Sequence, residues 1–323
     1  MQERTHRLLL RFVALAVVTW TVVPVSAQRG DQRDILFDSN ILYESNLGGQ
    51  EIWAIRPDGS GLRRLTHSPT GTVNQSPRWS PDGRRIAFSS TRHAPRPEKN
   101  SDGWISTDEI YVMNFDGSAL RRLTYGPQQS WSPDWSPDGM QIAFESNRDG
   151  HWRIYVMDGN GSNVRRLTTD QRFPSSTGEG GAVWAPDGKR IAFLSGRDGE
   201  DAEIYILELA TSNLTQLTDN DAHDSHVAWS PDGHYLSFDS FRDGNSEIYV
   251  MHPDGSQVVR LTHHPRMDNA ARWSRDGQRL AFNSTRDYNS NDLGNMEIYV
   301  MNRDGSSLRR LTNNSVKDTH PDW

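Results

Sequence analysis

Six tryptophans in this 323-residue chain, Trp79, Trp135, Trp184, Trp229, Trp273 and Trp323, are each preceded at fixed distances by residues able to do chemistry. Five residues before them stand Asn74, Ser130, Glu179, Asp224, Asp268 and Asp318; three before them stand Ser76, Ser132, Gly181, His226, Ala270 and His320. In an extended strand the two sets share one side. Gathered at one place, Asp224, His226, Asp268, Asp318 and His320 offer imidazole and carboxylate ligands for a divalent ion, or a histidine to act as a base. The same polar residues serve equally well to cap loop backbone or to line a wet channel. No short ligand motif accompanies them, so neither a metal nor a cofactor is expected.

A second group is aromatic. Trp104, Trp131 and Trp152 fall outside the recurring tryptophan position, and Tyr125 lies close to Trp131. Rigid rings clustered on loops suit recognition of a protein, peptide or sugar, because they offer contact area at small entropic cost. Alternatively, Trp104 folds its own segment onto Trp131 and Trp152 as a small satellite core.

The elements that position these groups follow from the repeat. Trp-Ser-Pro-Asp-Gly begins at Trp79, Trp135 and Trp229, with variants at Trp184 and Trp273, and the tryptophans are spaced 56, 49, 45, 44 and 50 residues apart. After each comes an apolar triplet such as Ile86-Ala87-Phe88, then Ser-x-Arg, Glu-Ile-Tyr-Val-Met, Asp-Gly-Ser and Arg-Arg-Leu-Thr. The β-branched and aromatic runs suit pleated strands, and the Asp-Gly pairs suit tight hairpins. Each unit therefore reads as four strands, A (ending at the Trp) to D (Arg-Arg-Leu-Thr), the size of a propeller blade.

The first unit, starting from the apolar triplet at Ile41, has no Trp strand of its own, whereas residues 318–323 form a strand A with nothing after it. The expectation is an all-β, six-bladed β-propeller of four-stranded blades over residues 41–323, closed by the C-terminal strand joining the first blade. Up-and-down strands place the A-to-B and C-to-D turns on one face and the B-to-C and D-to-A loops on the other. The second face carries nearly all the length variation, including enlarged loops at 91–108 and 287–296. The recurring Trp and Tyr are expected to pack between blades, and the Arg of Ser-x-Arg is a candidate partner for the Glu of Glu-Ile-Tyr across the B-to-C hairpin.

This motif string closely resembles the WD40-like Pro-Asp repeat of TolB-type six-bladed propellers. The resemblance implies a periplasmic protein-binding platform working in the Tol-Pal envelope system. TolB carries an α/β domain before its propeller, whereas about a dozen residues precede the first blade here, so the chain reads as a relative of the propeller rather than TolB itself. Related repeats also form non-catalytic propellers beside peptidase domains and, more distantly, polysaccharide lyases with a metal at the channel. A channel-mouth metal-dependent lyase or hydrolase is therefore the alternative to a non-catalytic platform.

Residues 1–27 read as a signal peptide, with Arg4, Arg7 and Arg11 before an apolar run and Val25-Ser26-Ala27 as the cleavage site. An uncleaved anchor is the competing reading, but the apolar run is short for a span and holds Pro24. Residues 28–40 read as a polar lead-in. A periplasmic or secreted protein without stable membrane insertion after cleavage follows. With no cysteine, disulfides, thiol catalysis and lipid attachment at a cysteine are excluded. The net charge of -7, becoming -9 without the three Arg and one Glu of the signal, disfavours nucleic acid. The partner classes left are an envelope or extracellular protein, a peptide or a glycan. No nucleophile elbow, His-Glu-x-x-His helix or phosphate loop is present, so no catalytic residue is assigned.

Overall fold

A computed structural model describes residues 35–41, 49–93, 99–100, 103–104, 108–168, 178–197, 201–287, 296–314 and 316–323. Residues 1–27, expected to be a signal peptide, and parts of both enlarged loops lie outside them.

Five four-stranded antiparallel blades follow one another along the chain. The Trp79 blade contains β4 (Asn74–Trp79), β5 (Arg85–Ser90), β8 (Glu109–Asn114) and β9 (Arg121–Arg122), with a two-stranded ribbon of β6 (Lys99–Asn100) and β7 (Gly103–Trp104) between β5 and β8. The Trp135 blade contains β10 (Ser130–Trp135), β11 (Gln141–Ser146), β12 (Arg153–Asp158) and β13 (Arg165–Arg166). The Trp184 blade contains β14 (Glu179–Trp184), β15 (Arg190–Ser195), β16 (Glu203–Glu208) and β17 (Leu214–Gln216). The Trp229 blade contains β18 (Asp224–Trp229), β19 (Leu236–Ser240), β20 (Glu247–Met251) and β21 (Val259–Arg260). The Trp273 blade contains β22 (Asp268–Trp273), β23 (Arg279–Ser284), β24 (Glu297–Asn302) and β25 (Arg309–Arg310). A further four-stranded sheet joins β26 (Asp318–Asp322) to β1 (Ile35–Ile41), β2 (Gly49–Ile55) and β3 (Arg63–Arg64), in the order β26-β1-β2-β3.

The register corrects one boundary. Phe37 lies opposite Trp53, as Phe88 lies opposite Tyr111, so the strand B triplet of this sheet is Ile35-Leu36-Phe37 and not the one beginning at Ile41. The end of the supposed lead-in, 28–40, is thus part of the propeller. Reading Ile41 as the triplet placed the apolar alternation six residues too late.

The cores lie between blades. Trp135, Ile142, Phe144, Tyr155 and Met157 pack against Ala87, Ile110 and Val112 of the preceding blade, and the same arrangement recurs around the molecule. Strand A of each blade sits on strands A, B and C of its predecessor; β26 sits likewise on β22, β23 and β24, and β4 on β26, β1 and β2.

Recurring motif residues hold each unit together. The Leu-Thr hydroxyl accepts from the strand C amide in every sheet, as in Ile110 N to Thr124 Oγ1 at 2.9 Å. Ser80 Oγ donates to Asp82 and accepts from Arg85 N, which closes the Ser-Pro-Asp-Gly turn. At Gly117, φ is +86° and an added Cβ would lie 2.7 Å from the Leu65 carbonyl oxygen. Glycine is required where this turn presses on the neighbouring blade.

The expected Arg–Glu pair across the B-to-C hairpin is replaced by two other pairs. The strand C Glu is bound by the Arg that ends strand D: Arg64–Glu51, Arg122–Glu109, Arg260–Glu247 and Arg310–Glu297, at 2.5 to 3.0 Å. The Ser-x-Arg guanidinium instead turns inward, lies over the Phe and Tyr rings of strands B and C, and reaches the first residue of strand A.

Candidate functional site at the channel mouth

Strand A is innermost, and in its middle the ladder breaks. Register shifts fall between Gln75 and Arg78, Trp131 and Asp134, Gly180 and Val183, Ser225 and Ala228, and Asn269 and Arg272. The bulged residue has positive φ in every copy: Ser76 51°, Ser132 47°, Gly181 62°, His226 49°, Ala270 56° and His320 54°. A bulge reverses the facing of residues on its two sides. The two sets of candidate residues, expected on one side, are therefore separated.

The set five residues before the Trp is buried and already bound. Asn74, Asp224, Asp268 and Asp318 have no exposed surface, and Ser130 and Glu179 little. Arg92 donates to Asn74 at 2.7 Å, Arg148 to Ser130 at 3.3 Å, Arg197 to Glu179 at 2.5 Å, Arg242 to Asp224 at 3.1 Å and Arg286 to Asp268 at 2.6 Å. Asn314 donates to Asp318 at 2.8 Å. Burial raises the Asp268 carboxyl above its ordinary range even against Arg286. These residues join blade to blade: Asn220 bridges Asp224 to Glu203 of the preceding blade, and burial, with Asp224 nearby, pushes Glu203 up to about 7.

In the set three residues before the Trp, Ser76 and Ala270 are buried, whereas His226 and His320 are half-buried and are brought together. Their ring centroids lie 5.6 Å apart at an interplanar angle of 55°. His226 Nδ1 is 3.0 Å from Asp239 Oδ1. Asp239 is buried and also accepts from Ser225 Oγ at 2.5 Å and Ala270 N at 3.0 Å. Burial would raise its pKa, but the charge of His226 and these hydrogen bonds win and hold it below the ordinary value. The His320 amide donates to Asn283 Oδ1, and its Nδ1 lies 3.2 Å from Thr319 Oγ1. Among the described residues no group of three or more His, Asp or Glu converges on a metal position.

Sequence reasoning missed Asp239, although its own rule would have found it. In Ile-Ala-Phe-x-Ser, the x position reads Ser89, Glu145, Leu194, Asp239 and Asn283, as variable as the histidine position itself. It also missed the residue just before the Trp: Val183 and Ala228 at that position join the cores between blades, whereas Arg78, Asp134, Arg272 and Asp322 form a group of interacting charges. Asp322 accepts from Trp79 N and Asp134 from Trp184 N, both at 2.8 Å, while Arg272 donates to Val227 O. Arg78 Nε lies 3.8 Å from Asp134 Oδ1. Burial pushes Asp134 up to about 6 despite Arg78, and burial together with the charge of Arg78 lowers Arg272 to about 9.

The four aromatic residues differ in burial. Tyr125 is 74% exposed, with its hydroxyl donated to Arg122 O and Arg122 over its ring. Trp131, expected in a loop, is the second residue of β10, half-buried and opposite Glu145. Trp152 is half-buried against Gly178, where an added Cβ would fall 2.2 Å from its own Cβ. Trp104 ends β7, and its side chain lies outside the described residues. Phe241, in the B-to-C turn of the Trp229 blade, is 41% exposed on the same face as Tyr125.

The fold defines a β-propeller whose strand A carboxylates Asp224 and Asp268 are bound by arginines of their own blades. The TolB beta propeller domain model matches residues 101–182 and 171–291, and the chain belongs to that family. A TolB homolog of Chlorobium luteolum is 31% identical over 157 residues, 39% of this chain and 36% of that protein. A Tol-Pal system protein TolB of Desulfosudis oleivorans is 28% identical over 135 residues, 41% of this chain and 27% of that protein. The matches therefore span about a third of those relatives or less. The crystal structure of TolB from Acinetobacter baumannii superposes with a TM-score of 0.74 at 21% identity, covering 91% of this chain and 67% of that one. Among the described residues no helix is long and apolar enough to cross a membrane.

Proposed function

We propose that this chain is a non-catalytic, exported propeller that binds a protein of the cell envelope, with the face of B-to-C and D-to-A loops as its docking side. The observation that carries this reading is the engagement of Asp224, Asp268 and Asp318: all three are fully buried and held by Arg242, Arg286 and Asn314. They are the carboxylates that would serve a channel-mouth hydrolase or lyase, and their engagement in the scaffold favours a non-catalytic role. Family membership and a relative named for the Tol-Pal system support a periplasmic partner from that system.

The same reading includes a ring of six blades closed by pairing of β26 with β1. In its favour, Leu36 lies opposite Asp322 and Ser39 opposite Asp318, and Asp322 accepts from Trp79 N. Cleavage after Ala27 would deliver the ring to the periplasm.

The test is a binding titration of the purified protein against soluble portions of the Tol-Pal proteins of the same cell. A Tyr125→Ala/Phe241→Ala double variant on the docking face is compared with Phe115→Ala on the opposite one. Loss confined to the double variant supports the reading; equal binding by all three proteins counts against it.

A further inference from the structure

We propose that His226 and His320 form a two-histidine site for a borderline transition-metal dication of the zinc class, completed by solvent. The inference is independent of the envelope partner. Imidazole suits zinc, nickel and copper, whereas carboxylate and carbonyl oxygens suit calcium and magnesium. Asp224, Asp268 and Asp318 are buried and bound, and the ligating side chains brought side by side are the imidazoles of His226 and His320.

Three features of the geometry fit a metal. A zinc–nitrogen bond of about 2.0 to 2.1 Å puts each ring centroid about 3.2 Å from the ion, so two rings at a tetrahedral angle stand about 5.2 Å apart. The observed separation is 5.6 Å. Next, His226 Nδ1 is held by buried Asp239 at 3.0 Å, which leaves Nε2, on the opposite side of the ring, as its ligating atom. A carboxylate behind the imidazole fixes its tautomer and raises its basicity as a ligand. Asp239 is itself fixed by Ser225 Oγ and Ala270 N, so the ring is oriented before any ligand arrives. Finally, the two histidines come from sheets on either side of the Trp273 blade, where the corresponding residue is Ala270. A methyl group at that place leaves the rings room to meet.

The site takes one ring nitrogen from each histidine, Nε2 in the case of His226. Two protein ligands with water in the remaining positions make an exchangeable site, filled and emptied with metal availability.

The experiment is a calorimetric titration of the metal-stripped full chain with Zn2+, alongside Co2+ absorption as a readout of coordination. The variants are His226→Ser and His320→Ser, because Ser76 and Ser132 show that serine occupies this bulge at φ 51° and 47°. Wild type should bind one equivalent with micromolar affinity, and each serine variant should lose at least tenfold. Asp239→Asn should lose about 10- to 100-fold while both histidines remain. Circular dichroism confirms the fold of each variant; if Asp239→Asn is unfolded, the two serine variants decide alone. Absence of binding by wild type, or affinity unchanged in both serine variants because the signal arises at surface histidines such as His263 and His264, would overturn the assignment.

Discussion

Replacing Glu145 with glutamine should make the protein more stable at neutral pH and leave it unchanged in acid. Glu145 stands on β11 at the variable position of the strand B motif, is only 7% exposed, and accepts hydrogen bonds from Ser132 and the Gly181 amide. An added Cβ at Gly180 would lie 2.1 Å from its Oε2, so glycine there makes space for the side chain. Burial pushes its carboxyl from 4.5 to about 7 against those two hydrogen bonds. The folded state therefore holds a proton that the unfolded chain releases. Stability from this group is fully present below pH 4.5 and is lost as pH rises through about 7. At 1.36 kcal/mol per unit the loss is about 3 kcal/mol above pH 7, with about 1.4 kcal/mol already gone at pH 5.5. Glutamine keeps the shape and does not ionise, so the gap between variant and wild type isolates this one group. Urea unfolding of both proteins at pH 4.5, 5.5, 7 and 8 should show a gap that widens to pH 7 and then levels. Parallel stability profiles would refute the reasoning, because they would mean that Glu145 ionises as readily folded as unfolded.

Other consequences concern the scaffold. Arg286→Met should destabilise by about 3 to 5 kcal/mol in chemical denaturation, since it strands the fully buried Asp268 carboxylate without its partner at 2.6 Å. Trp323→Ala, which removes an 8% exposed indole from under Arg279, should cost about 3 to 5 kcal/mol if β26 belongs to the core. A loss under 1 kcal/mol would argue that the pairing of β26 with β1 contributes little. Gly117→Ala should cost about 1 to 3 kcal/mol, because its φ of +86° is strained for alanine and the Leu65 carbonyl blocks the methyl. Thermal unfolding of that variant beside Gly150→Ala, where nothing lies within 4 Å, separates steric conflict from backbone strain.

The four-stranded blades were legible in the sequence because each motif residue has one local job repeated with the fold. Glu-Ile-Tyr-Val-Met marks strand C, and the threonine of Leu-Thr finds its strand C amide across only 14 residues. What the repeat could not show was the bulge in strand A. Alternation counts residues two by two, and a bulge adds one without any fixed residue type, since Ser, Gly, His and Ala all occupy it. Asp224 and His226 therefore looked like neighbours on one side, yet one is locked under Arg242 and the other is half-buried beside His320. The Ser-x-Arg partner was misjudged for a related reason. Proximity in sequence favoured the Glu of the same hairpin, but Phe and Tyr rings beneath the guanidinium steer it inward to strand A. Tyr125 and Trp152 stand out in the sequence because they violate the repeat, and Asp239 violates it as well, at the variable position of Ile-Ala-Phe-x-Ser.

The central claim is that the loop face of the propeller binds an envelope protein without catalysis. Its most direct test is the affinity of wild type and of the Tyr125→Ala/Phe241→Ala variant for the soluble Tol-Pal proteins of the same cell, measured by calorimetry with fold verified by circular dichroism. The account predicts a saturable complex with wild type, weakened at least tenfold in the double variant and unaffected by Phe115→Ala on the opposite face. Binding lost with Phe115→Ala but kept in the double variant, or no complex with any of those proteins, would contradict it.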